Sequence, residues 1–283
     1  MHIYDQKPER FLEKLHETDG NGFPSSALCA GYESGVWRSE AFAFHLAEWL
    51  PEYALPEEEL GVNHANSLLK IHQAAIRVYT SSKYEKRGEA GEIALHAICR
   101  DFYGTMPISP RVFYKSASND VVKAFDMVHA RLPEDKPIEI WLGESKLYKD
   151  GSAAIKDAIN SIRAHIDAGF LSREKLLIGP QIPKTTPRYA EISALFKKQT
   201  SLDLLKKSTV FVVGVMCNSQ SAIQAKERDA TYLAGCANEL ELLSTALKAS
   251  GLTTGLKMLF VYIPLADKES LMAAFDRRLK GLQ

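Results

Sequence analysis

The chain has 283 residues, 46% of them hydrophobic and 25% charged, with lysine plus arginine equal to aspartate plus glutamate at 35 each. This is the composition of an ordinary globular protein with one α/β-sized core and additions at its ends, and it excludes a globally basic nucleic-acid binder. The four cysteines, Cys29, Cys99, Cys217 and Cys236, form no CxxC pair, which argues against both structural zinc and a disulfide framework. No apolar run reaches the ~18 residues of a membrane span. The charged start, MHIYDQKPERFLEKL, lacks a signal-peptide core, so a reducing cytoplasm is the expected location.

In chain order, residues 1–20 read as a short strand or arm followed by a polar helix with Phe11, Leu12 and Leu15 on its apolar edge. Residues 20–24 are a loop by their Gly, Asn and Pro content. Residues 37–50 predict an amphipathic helix crowded with Trp37, Phe42, Phe44, Leu46, Trp49 and Leu50 and closed by Pro51. Core packing is the first reading of these aromatics. Docking of a partner protein is the second, because aromatic residues anchor interfaces and the acidic residues Glu57, Glu58 and Glu59 follow. A helix over 62–82 would bury Leu68, Leu69, Ile71, Ala75, Ile76 and Tyr79. Gly88 and Gly91 mark a break or a close backbone approach, and Glu92, Ile93, Leu95, His96, Ile98 and Cys99 then run into a helix.

Pro107 and Pro110 bracket a connector. Residues 111–115, 120–132 and 138–148 read as three successive strands, which suggests a meander. Ile155, Ile159, Ile162 and Ile166 place residues 152–169 in a helix ended by Gly169. Residues 179–188 are an extended surface loop, and the apolar run 208–218 is a strand buried on both faces. A long helix near 225–249, a strand over 257–264 stopped by Pro264 and a helix from Lys268 complete the chain. The expected architecture is α/β, a mixed central sheet with flanking helices. A mainly helical N-terminal region covers 1–85, and the main domain, with a C-terminal extension, covers 86–283.

Strand side chains alternate, so Ile138, Ile140, Leu142, Glu144 and Lys146 share one face, and the strand delivers a carboxylate and an ammonium side by side. A lone ExK is also what a solvated strand end looks like. Asp126 adds context, because a carboxylate inside an apolar strand costs free energy unless something compensates it. A divalent cation held through oxygen by Asp126 and Glu144 is one compensation. Glu89 and Glu92 open the upstream helix at spacing i, i+3. Glu92 leads directly into the apolar run, whereas Glu89 stands between two glycines, so Glu92 is the expected contributor.

These residue types match the needs of phosphodiester hydrolysis. Mg²⁺, or Mn²⁺ in its place, lowers the pKa of a bound water and neutralises phosphate oxygens. An adjacent lysine orients that water or stabilises transition-state charge, and a helical glutamate completes the ligands or assists proton transfer. His129 is read as a core or supporting histidine, and His96, one turn after Glu92, as an orienting or structural one. Lys83, Lys86, Arg87, Lys197, Lys198, Lys206 and Lys207 are candidate phosphate contacts or simply solvated faces. Dinucleotide, Walker and GxSxG motifs are absent from the sequence.

The order of a glutamate-bearing helix, a strand with Asp126, a strand ending in ExK and a helix resembles, over about residues 88–170, the restriction-endonuclease-like PD-(D/E)xK superfamily. Phe125 stands where that superfamily commonly has proline. The strings RGEAGEIALH, FDMVH and GESKLY, with KMLFVYIPL further on, resemble the HamA family, the nuclease subunits of the Hachiman anti-phage defence system. The resemblance implies a restriction-endonuclease-like sheet, with Asp126, Glu144, Lys146 and Glu92 as the catalytic set. It also implies that the backbone carbonyl of Ser145 joins Asp126, Glu144 and Glu92 as a metal ligand. DNA would be the substrate and a helicase subunit the partner, with no role for a membrane. An RNA-cleaving nuclease and a catalytically silent scaffold of the same fold are the alternatives. The intact Asp126, Glu144 and Lys146 set argues against the silent one.

Overall fold

The computed structural model describes residues 2–79, 88–109 and 125–282. Its centre is the run that the sequence marks as buried on both faces, β8 (Thr209–Asn218), flanked in parallel by β7 (Glu139–Tyr148) and β9 (Lys257–Leu265). Parallel strands need helical crossovers, which cover the sheet faces and make the strands apolar throughout. Beyond β7 the sheet continues with β6 (Met127–Arg131) and β5 (Met106–Pro107), both antiparallel. Beyond β9 it continues with β2 (Ser25–Cys29), parallel, and β1 (Glu13–Thr18), antiparallel. The order is β1-β2-β9-β8-β7-β6-β5, a mixed seven-stranded sheet. A separate two-stranded hairpin pairs β3 (Tyr32–Glu33) with β4 (Val36–Trp37).

One face of the sheet is covered by α1 (Ser39–Glu48), α2 (Leu50–Ala54), α3 (Ser67–Val78), α4 (Glu89–Tyr103) and α11 (Lys268–Gly281). The other is covered by α5 (Gly151–Ile166), α6 (Ala168–Ile178), α7 (Tyr189–Leu195), α8 (Leu202–Lys207) and α10 (Ala230–Ala249). The short α9 (Gln220–Gln224) follows β8. Among the described residues no helix is long and apolar enough to cross a membrane.

Several expectations change. The polar helix expected within residues 1–20 is the edge strand β1, whose charged sequence hides its period because five of its six residues are polar. Together with β2 it puts two strands of the central sheet into the stretch expected to be mainly helical. Pro51 does not close a helix but lies in the first turn of α2, where its missing N–H costs nothing. Trp37, Phe42, Leu46, Trp49 and Leu50 are buried, so they are core and no docking surface; Phe44 alone is exposed, 5.2 Å beneath the Arg278 guanidinium. On α3 the buried stripe is Ala74, Ala75 and Val78, and Leu68, Leu69 and Ile76 face outwards.

The connector near Pro107 contains β5, which gives the meander its first strand. The strand expected over 111–115, the residues 120–124 and the basic residues Lys83, Lys86 and Arg87 lie outside the described residues. Asp126 precedes β6 instead of standing in mid-strand. Asp167, in an extended conformation, ends α5 and caps α6 by accepting from the Gly169 and Phe170 N–H groups, so Gly169 lies inside the next helix. Part of the expected loop at 179–188 is a 3₁₀ turn over Gly179–Gln181. β9 passes through Pro264, since pairing with β2 ends at Tyr262 and leaves no partner waiting for the missing N–H.

The seat of α4 on the sheet follows from two glycines. A Cβ at Gly143 would stand 2.9 Å from both Leu95 Cδ2 and Met127 Cβ, and one at Gly214 3.0 Å from Leu95 Cδ1. Leu95 thus drops into a notch that no other residue would leave open. Gly143→Ala is expected to overpack this notch and destabilise the fold by about 1–3 kcal/mol. Gly255→Ala, with no atom within 4 Å of the added carbon, should be near neutral. Urea midpoints of the two variants check the difference.

Candidate active site

β6 starts at Met127, opposite Gly143, so the last five residues of β7 run on past the ladder on that side. Asp126 occupies the first vacated position. Its N–H donates to the Gly143 carbonyl at 2.8 Å, and its Oδ2 accepts from the Ser145 N–H at 2.8 Å, so a side chain continues the ladder where the strand has stopped. The Ile140 N–H points the other way, to Ser208 beside β8. Backbone groups alternate along a strand, so Ser145 turns its carbonyl as well as its N–H towards the Asp126 edge.

Glu144 and Lys146 project onto the α5 face. Glu144 is 4% exposed. Its Oε1 lies 2.9 Å from Lys146 Nζ, and its Oε2 lies 3.5 Å from His165 Nδ1. Lys146 Nζ also reaches Asp157 Oδ2 at 2.8 Å, the same oxygen that accepts from the Tyr148 hydroxyl at 2.8 Å. The His165 ring stacks on Phe170 at 4.7 Å and meets the edge of Phe125 at 4.6 Å. These contacts exist because α5 returns immediately after β7. Asp150 caps it through the Ala153 N–H, and Ala154, Ile155, Ala158, Ile159 and Ile162 bury its inner face. Burial alone would push the Lys146 ammonium down, but Glu144 and Asp157 outweigh it and raise the group above its ordinary value. Lys146 is therefore a fixed positive charge at neutral pH and not a base.

Glu92 arrives from the opposite face. It is buried in the first turn of α4, where its Oε2 accepts a hydrogen bond from the buried Tyr53 hydroxyl. Glu89 is buried in the same turn and already helical, so the glycines on either side do not disqualify it. His96 Nδ1 and His129 Nε2 are 3.0 Å apart, His129 Nδ1 is 2.8 Å from the Thr105 hydroxyl, and His96 Nε2 is 3.2 Å from Glu52. These histidines join α2, α4 and β6 and are structural.

The sequence points to Asp126, Glu144, Lys146 and Glu92; the structure joins Asp126 to the backbone of Ser145 and links Glu144 with Lys146. Sequence reasoning missed Asp157, Tyr148, His165 and Tyr53. The only available signal was the short link from ExK into a helix, which brings the first two turns of α5 back over the strand.

Among the described residues no three His, Cys, Asp or Glu side chains gather around one point in a way that would hold a metal ion. The oxygen donors here are the Asp126 carboxylate and the Ser145 carbonyl at the open edge of β7 and the Glu144 carboxylate on its α5 face, all hard oxygens. That set fits Mg²⁺ in kind, because Mg²⁺ ordinarily takes one or two carboxylates and keeps several waters.

The HamA family model matches residues 8–279, from the segment before β1 into the last turn of α11. The chain belongs to the HamA family. HamA membership supports a role in anti-phage defence. No curated protein matches the chain. The HamA match takes in the residues of β1 and β2 along with those of β6 and β7.

His129 yields a test of the α4–β6 junction. Burial first, then His96 and Arg100, hold its pKa well below the ordinary value. Its folded pKa is thus lower than the unfolded value of about 6.5. The stability it contributes is present above that pH and is lost as the pH falls and the unfolded chain takes up the proton. The native chain should lose stability to urea between pH 7 and pH 5. A His129→Gln chain, whatever its absolute stability, should lose less over that interval, and equal slopes would remove His129 from the account.

Proposed function

We propose that this HamA-family chain is a metal-dependent nuclease that hydrolyses DNA phosphodiester bonds, the effector of a defence system that works with a helicase partner. The observation that carries this reading is the buried Glu144 carboxylate paired with the half-buried Lys146 ammonium, next to a Ser145 whose N–H is taken by Asp126. A buried carboxylate and ammonium contribute little to stability that apolar side chains would not contribute as well, so their retention calls for another reason. Chemistry at a phosphate is such a reason.

When bound, Mg²⁺ or Mn²⁺ would supply water activation and charge neutralisation. Asp126, Glu144 and the Ser145 carbonyl would hold it, with Glu92 reaching in from α4 as a further ligand or proton acceptor. Lys146 brings a permanent positive charge to the phosphate oxygens, where charge grows in the transition state. Enclosure by α5 on one side and α4 on the other keeps these charges from being screened. The choice of DNA over RNA and the helicase partner come from the family resemblance, and the chemistry of the site serves either nucleic acid.

Incubation of the full chain with plasmid DNA and with RNA, in Mg²⁺ or Mn²⁺ and with and without a co-expressed helicase, tests the reading. Chelation should stop cleavage. Glu144→Gln, Lys146→Ala and Asp126→Asn should each lower the rate by about 100-fold or more. Glu144→Gln is expected to stay folded because Lys146 keeps Asp157 as a partner, and circular dichroism checks this. Near-native cleavage by Glu144→Gln or Lys146→Ala would remove the assignment. A folded native chain that binds the helicase and cleaves neither nucleic acid would be the scaffold instead. If the two proteins never co-purify, the partner reading fails.

A further inference from the structure

We infer that Asp157 is the positioning residue for Lys146, so that α5, and not the strand carrying the lysine, sets where the ammonium stands. This rests on the reading of Lys146 as a group that acts on phosphate. A lysine ammonium is a point charge on a flexible four-carbon stem, and its backbone position does not fix it. Two carboxylates hold it here, Glu144 at 2.9 Å and Asp157 at 2.8 Å, with the side chain only 15% exposed. The two are not equivalent. Glu144 lies on the same strand, beside the Asp126 edge, and any cation it takes there would draw off part of its charge. Asp157 comes from α5 and holds the lysine from the other side.

Asp157 is itself fixed. Its Oδ2 receives both Lys146 Nζ and the Tyr148 hydroxyl, the latter from the same face of the same strand two residues on. Its helix is pinned by buried Ala154, Ile155, Ala158 and Ile159. The result is a bracket in which strand and helix meet at one carboxylate oxygen. A surface ion pair of the ordinary kind would involve neither a shared oxygen nor a lysine withdrawn from water.

The experiment compares native, Asp157→Asn, Asp157→Glu and Lys146→Ala full-length chains, each checked for folding by circular dichroism. The first readout needs neither metal nor activity. An amine-acylating reagent is applied briefly at pH 8, and labelling of Lys146 relative to exposed Lys149 is read by peptide mass spectrometry. Held against Asp157, the Lys146 side chain is only 15% exposed and its nitrogen is shielded from the reagent, so Asp157→Asn should free it to swing outwards and raise the Lys146 to Lys149 ratio several-fold, and Asp157→Glu should bring it back towards native. The second readout is Mg²⁺-dependent DNA cleavage. Asp157→Asn should lower turnover about ten- to a hundred-fold, leave the Mg²⁺ dependence where it was because Asp157 is no metal donor, and be partly rescued by Asp157→Glu. An unchanged labelling ratio overturns the inference. Native turnover in Asp157→Asn while Lys146→Ala is inactive also overturns it, and leaves the nuclease reading standing. Native turnover in both variants overturns the nuclease reading itself.

Discussion

A buried carboxylate and the half-buried ammonium paired with it govern the half of β7 around which the site is built. Removing one partner of a buried pair costs about 3–5 kcal/mol, because the other is left without compensation. Glu144 at 4% exposure is therefore a demand on its surroundings. Lys146 meets it from the strand, His165 stands beside it, and Asp157 balances the lysine. The last two depend on α5 folding straight back from β7 and lying along it. The Asp150 cap and the isoleucine stripe are what make that return dependable.

The second constraint is a strand that ends early. A sheet edge with open backbone groups invites pairing with another chain unless something blocks it. Here Asp126 takes the Ser145 N–H that β6 would otherwise have met. The same substitution of a side chain for a strand turns an edge into a place where oxygen atoms collect. On the other face, Leu95 seated between Gly143 and Gly214 fixes the depth of α4, and with it the height at which Glu92 and Glu89 stand above the sheet.

What was legible in the sequence follows from where the signal is periodic or chemically costly. β8, β9 and α5 carry long apolar patterns, and their extents were readable within a few residues, as was the start of α11. Asp126 and Glu144 stood out because carboxylates amid apolar residues are expensive. β1 escaped because an exposed edge strand with a polar sequence has no burial to report, and β2 because five residues flanked by turns are too few to show a period. The outward turn of Leu68, Leu69 and Ile76 was hidden because alanines, not the larger side chains, face the core on α3. Asp157 and His165 look like ordinary polar positions on a helix. Only the packing of that helix on β7 gives them a partner, and packing is a property of the whole chain.

The pairing of β2 with β9 has a consequence for how the molecule comes into being. Ser25 aligns with Phe260, over two hundred residues later. Translation at 5–20 residues per second leaves β2 waiting about ten seconds or more for its neighbour. Until β9 has been made, β8 has one bare flank, and α1 lacks α11, against which it packs. The ExK strand, although made more than a hundred residues before β9, lies in a sheet that cannot close until β9 has been synthesised. A partly synthesised chain is thus an unfinished one, and any activity belonging to the folded sheet is withheld from it.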